Sequence, residues 1–189
     1  LTATASGPIT LDTAIATADL ASTTAGAIDV DETDAITLQS VVTQDGTITI
    51  DAGGTLTAVN VDSSATDNDA NDISLTTTAG DIAVVTITAG TANDVTLTAA
   101  AAITEDGQPS TLVTADLLTA TASGPITLDT TITTADLAST TAGAIDVDET
   151  DAIGLQSVVT QDGTITVDAG GTLTAVNVDS SATDNDAND

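Results

Sequence analysis

The 189-residue chain has no lysine, arginine or histidine, no cysteine, and no methionine, phenylalanine, tyrosine or tryptophan. Each absence excludes something. Without cationic side chains nothing internal neutralises the 29 Asp and Glu, and the formal charge is −29 at pH 7. Nucleic acid and anionic membranes, which are held through basic contacts, are excluded as partners. Self-repulsion on this scale destabilises a compact state unless counter-ions come from the medium, as high salt or divalent cations. Without cysteine there is no disulfide framework and no thiol from which to read a redox compartment. Without aromatic rings there is no platform on which a sugar could stack and no large side chain to fill a wide core. Leucine, isoleucine and valine together number only 44, little above the level at which high charge goes with disorder. No signal peptide, initiator methionine or 18-residue apolar run is seen, so the chain reads as an excerpt of a longer polypeptide with no membrane insertion.

What is present is a repeat. Residues 1–72 recur as 118–189 with four substitutions: Ala14 becomes Thr131, Ala16 becomes Thr133, Thr37 becomes Gly154 and Ile50 becomes Val167. Residues 1–117 read as a first unit, and 118–189 as part of a second, continuous with it. Near-identical copies supply length and multivalency, whereas a catalytic site needs one asymmetric constellation. Within the unit, aliphatic-polar alternation starts after turn residues at Ile9, Ile28, Ile48, Ile73 and Val95, and again at Ile126. The spacings, 19, 20, 25, 22 and 31 residues, match coils of a parallel β-helix with loops of varied length. Alternation places Ile, Val and Leu inward and Thr, Asp and Ser outward. Threonine suits that exterior, being β-branched and able to hydrogen-bond along neighbouring coils. The expected fold is all-β, a β-solenoid of about five coils per unit and about eight in all, rising about 4.8 Å per coil. The alanine-rich stretch 97–105 reads as a small-residue strand rather than a helix. Protruding loops are expected at 63–72 or around Gln108, Pro109 and Ser110. Strand edges at both ends call for further coils, supplied by more repeats of the chain or by copies of itself.

From 26 to 56 the pattern Gly-x-Ile-x-Val, Ile-x-Leu-x-Ser-Val, Gly-x-Ile-x-Ile-x-Ala-Gly-Gly-x-Leu resembles the repeats of filamentous-haemagglutinin-like and other giant β-strand-repeat bacterial surface proteins. The likeness extends over essentially the whole chain. It implies a right-handed parallel β-helix, an extracellular or cell-surface location, and a part in adhesion or filaments, with cell-surface or matrix components as partners. The chain departs from that family in lacking basic and aromatic residues. A second pattern, Gly54-Thr55-Leu56-Thr57-Ala58-Val59-Asn60-Val61-Asp62, resembles a strand of cadherin-like adhesin repeats. It implies the alternative of tandem Ig-like β-sandwiches rigidified by calcium. The missing core aromatic and the shorter sub-repeat of about 20 residues favour the solenoid.

One acidic constellation points to a metal. Asp62 precedes the run Asp67-Asn68-Asp69-Ala70-Asn71-Asp72, and both recur as Asp179 and as Asp184 to Asp189, including Asp186 and Asn188. Asp67, Asp69 and Asn71 alternate like the first ligands of an oxygen-rich loop, so calcium is the expected cation. The loop is not an EF-hand, because Asp72 and Thr78 stand where Gly and Glu are required. The bland reading of the same run is a solvated loop tip. Asp29, Asp31, Glu32 and Asp34, repeated as Asp146, Asp148, Glu149 and Asp151, rank lower as ligands because alternate acids also describe a solvated strand face. Paired carboxylates for glycoside hydrolysis would need one acid held protonated in an apolar cleft, and no residues exist to build it, so no enzyme is expected.

Overall fold

The structure, a computed structural model, describes residues 1–68, 70–108 and 112–181. It is a parallel β-solenoid of nine rungs with no helix among the described residues. Every pairing between its strands is parallel, in one continuous sheet that winds around the axis. Ig-like sandwiches are built from antiparallel pairs, and that alternative is therefore removed. The alanine-rich stretch is strand, Val95–Ala99 and then Ile103–Glu105, with Val95, Leu97, Ala99 and Ile103 buried.

Three faces make up each rung. On face one, Ile9–Thr13 is followed upward by Ile28–Glu32, Ile48–Ala52, Ile73–Thr77 and Val95–Ala99, with Ile9, Ile28, Ile48, Ile73 and Val95 in register. The chain then turns onto face two, where Ile36, Leu56, Ile82 and Ile103 stack. Face three carries Thr2–Ala5, then 19–22, 40–43, 61–62, 87–88 and 112–114. Inside, columns of Ile, Leu, Val and Ala fill a narrow interior, and burial of each Leu, Ile or Val contributes about 1.5–3 kcal/mol. A narrow bore of this kind has no place for rings, which accounts for their absence from the composition.

The corners depend on glycine. An added Cβ at Gly26 would lie 2.3 Å from the Pro8 nitrogen and 2.4 Å from the Gly7 carbonyl carbon, so the rungs touch backbone to backbone there. Above it, Gly46 adopts φ +145°, a conformation closed to side chains.

The spacing of 31 residues conceals a change of face. The rung above Val95–Ala99 starts at Leu118, 23 residues on, in the register Val95↔Leu118 to Ala99↔Ala122. Ile126 lies on face two, above Ile103. The counterpart of Ile9 has therefore moved forward by one face, and the 117-residue unit advances five rungs and one third. Its other strands follow. Residues 119–122, 136–139 and 157–160, whose counterparts in the first copy lie on face three, stand on face one. Ile145–Glu149 and Ile165–Ala169 stand on face two, where their counterparts occupy face one. The second copy is the first turned by one face.

Candidate functional site

The first metal-ligand candidate is the loop between Val61–Asp62 and Ile73–Thr77, which carries the chain from face three back to face one. Its acids and amides among the described residues are engaged by the fold. Asp62 Oδ1 accepts from the Ser64 N–H at 2.8 Å and the Ser64 hydroxyl at 2.7 Å, closing a local turn. Asp67, at φ +29°, reaches up to the next rung, where its Oδ1 accepts from the N–H groups of Thr91 at 2.9 Å and Ala92 at 3.1 Å. Its Oδ2 accepts from the Thr91 hydroxyl at 2.9 Å. Asp72 Oδ1 accepts from the Asp94 N–H at 3.0 Å.

Asn71 is fully buried and ties three rungs together. Its Oδ1 accepts from the Gly46 N–H at 2.7 Å below, its own N–H donates to Asn93 Oδ1 at 2.9 Å above, and its Nδ2 donates to the Thr66 hydroxyl at 2.8 Å. The Ser63 hydroxyl donates to the Asn71 carbonyl, and the buried Asn93 donates to the Ala89 carbonyl at 2.9 Å. An amide supplies a donor and an acceptor together, so a stacked pair satisfies backbone groups that the corner leaves open.

In the second copy Asp179 accepts from the Ser181 hydroxyl at 2.6 Å and the Ser181 N–H at 2.9 Å, and these two bonds hold its carboxyl below the usual range. The remaining candidates, Asp69, Asp184, Asp186, Asn188 and Asp189, lie outside the described residues. Among the described residues no three acids converge on a point that could hold a metal ion. Asp62, Asp67, Asn71, Asp72 and Asp179 brace turns and rungs instead of forming a shared cage.

The second acidic cluster divides according to strand parity. Asp29 and Asp31 point outward and are exposed. Asp12, Asp31 and Asp51 stand in register on successive rungs and border a surface groove of about 210 Å³ with Glu32 and Thr33. Asp129, Asp148 and Asp168 repeat that column on face two. There burial, and then the charges of Glu105, Asp148 and Asp146, push the Asp129 carboxyl above its usual range.

Glu32 and Glu149 are the residues that sequence reading missed. Grouped with the outward acids, both are in fact buried. Parity was the available signal, because residue 32 shares the inward phase of Ile28 and Val30. Glu32 Oε2 accepts from the Thr13 hydroxyl at 2.6 Å and the Ile15 N–H at 2.9 Å, and Oε1 from the Asp34 N–H at 3.2 Å. Glu149 does the same with Thr130 at 2.8 Å, Ile132 at 3.0 Å and Asp151 at 2.9 Å. Burial alone would raise the Glu32 carboxyl, but the Thr13 hydroxyl and the N–H groups of Ile15, Asp34 and Thr33 outweigh it and hold it below the usual value. Each glutamate is a corner clip fed by donors from two rungs.

Comparison with protein-family models, with curated proteins and with solved structures finds no match. The fold agrees with repeat β-helix proteins as an architectural class, and the tandem repeat is built into it.

Proposed function

We propose that this chain is a structural repeat protein, extracellular or at a cell surface, whose rungs extend into a filament, sheath or adhesin stalk. The observation that supports this reading most is the unbroken stack: every strand pairing is parallel, and one aliphatic core runs through all nine rungs while the sides carry the carboxylates. Acidic sides oppose side-to-side association, so the architecture favours growth along the axis, through further repeats or through copies of itself. Cell-surface or matrix components are the proposed partners of the stalk. No catalytic role is proposed, since the groove bordered by Asp12, Asp31 and Asp51 lies open at the surface, where water keeps its acids ionised.

Cations from the medium, calcium foremost, are proposed to screen the carboxylate columns. They act diffusely along Asp12, Asp31 and Asp51 and along Asp129, Asp148 and Asp168, with the loop acids as a second location. Electron microscopy and fibre diffraction of the purified chain test the filament reading. It predicts filaments with an axial spacing of about 4.8 Å, and monomers at every concentration and salt condition would refute it. Chelation at constant ionic strength tests the calcium reading separately, because an unchanged Tm would leave calcium no role.

A further inference from the structure

At one corner, where the chain passes from Thr86–Thr88 on face three to Val95–Ala99 on face one, several donors converge on a single carboxylate. Gly90 turns there at φ +101°. The N–H groups of Thr91 and Ala92 donate to Asp67 Oδ1, the Thr91 hydroxyl donates to Oδ2, and Asn93 Nδ2 adds a longer contact to Oδ1 at 3.4 Å. An added Cβ at Gly90 would lie 2.3 Å from Asp67 Oδ1, so the carboxylate fills the space that a side chain would take. Successive N–H groups turned toward one point form an anion-binding concavity.

This concavity is held in shape by groups other than Asp67. The Ala89 N–H donates to the Thr114 carbonyl at 2.9 Å, and the Asp116 N–H to the Asn93 carbonyl at 2.8 Å. The Asn93 amide is oriented by the Ala89 carbonyl and by the Asn71 N–H, each at 2.9 Å. Asp67, by contrast, is exposed, and its φ of +29° is the one positive value at a non-glycine residue among the described residues. Its neighbours are tethered below, the Thr66 hydroxyl to the Gln44 carbonyl at 3.0 Å and Asn68 Nδ2 to Asp45 Oδ1 at 3.0 Å. A braced receptor thus holds an insert whose own backbone is strained.

We propose that residues 90–93 are a preformed carboxylate-binding site and that Asp67 is its intramolecular plug. The donors suit two oxygens on one carbon, with the N–H groups of Thr91 and Ala92 on the first and the Thr91 hydroxyl on the second. A formate ion reproduces that arrangement and a chloride ion does not. While Asp67 is seated the site is closed to other anions. With its carboxylate withdrawn, the site takes a small carboxylate from solution.

The test is Asp67→Gly in the full chain, because glycine accepts a positive φ and only the carboxylate is lost. Formate is the probe, with chloride at equal ionic strength as the control. Tm and the NMR amide shifts of Thr91 and Ala92 are read. The substitution is expected to lower Tm by about 3 °C. Formate is expected to restore about half or more of that loss and to shift the two amides saturably, whereas the plugged wild-type chain shows neither response. No response to formate in Asp67→Gly, or an equal response to chloride, overturns the site. A matching formate response in the wild-type chain overturns the plug. Should Asp67→Gly unfold, circular dichroism reads the same comparison: refolding by formate in preference to chloride upholds the site, and failure to refold overturns it.

Discussion

The two copies agree at all but four of 72 positions, yet their counterpart strands occupy different faces of the solenoid. What survives the rotation is the corner chemistry. Glu32 and Glu149 bind the same three kinds of donor, and Gly26 and Gly143 sit equally close to the glycine-proline step of the rung before. The bends are therefore written locally, and a face is whatever lies between two bends. The substitutions respect this division. Ala14 and Ala16 lie between Ile9–Thr13 and Thr17–Ser22, where no strand is formed. Their counterparts Thr131 and Thr133 belong to one 14-residue strand, Ile126–Ser139, which rests on the rung at 113–117. β-branched residues fit that extended path. Ile50 to Val167 keeps an inward aliphatic, and nothing in the structure explains Thr37 to Gly154.

The comparison can be broken most severely at the glycine corners. Gly26→Ala and Gly143→Ala each force a Cβ to within 2.3 Å of a proline nitrogen, and each is expected to cost about 3 kcal/mol or more in urea denaturation. Unequal costs at the two sites would mean that the faces are not interchangeable. Next come the stack positions, where the copies should differ. Leu56→Ala empties a closed column and is expected to cost about 3 kcal/mol, whereas Leu173→Ala, at an open edge, should cost under about 1 kcal/mol.

The glutamate clips should again match. Glu32→Ala and Glu149→Ala leave half-buried corner N–H and hydroxyl donors without their acceptor, at about 2 kcal/mol each by the same denaturation assay. Because the folded-state carboxyl of Glu32 is held below its ordinary value of 4.5, its contribution is present above that pH and is lost as pH falls through the lowered value. The smallest effect is electrostatic, at Asp129, where the charges of Glu105, Asp148 and Asp146 oppose its own. Asp129→Asn is expected to stabilise the chain by about 0.5 kcal/mol at pH 7. A folded-state pKa raised above the ordinary 3.8 means stability present below that value and lost as pH rises through the folded one, so the benefit of the substitution should vanish near pH 3. Thermal melts at the two pH values check it.

Alternation made much of the fold legible. Ile28 and Val30 are inward and Asp29 and Asp31 outward, as strand parity requires, and the solenoid follows from many such segments joined by turns. Two things were not legible. Nine rungs form where about eight were expected, because the step from Val95 to Ile126 hides a rung that begins at Leu118. Both Leu118 and Ile126 open aliphatic-polar alternations, and which one rests on Val95 depends on how many residues each corner consumes, a property of the whole coil. The loop acids were partly legible, as oxygen-rich turn residues. Their partners were not, since Asp67 finds its donors 24 and 25 residues away and local spacing carries no trace of a neighbour on the next rung.

The one-face advance has a mechanical corollary. Three successive units would return the pattern to its starting side after sixteen rungs, a length of about 77 Å. Over that distance every glycine corner, carboxylate column and hydroxyl-rich strip visits each side of the axis in turn. A rod whose stiff and yielding elements circulate in this way has no preferred plane of flexure, so it resists lateral load equally from every direction.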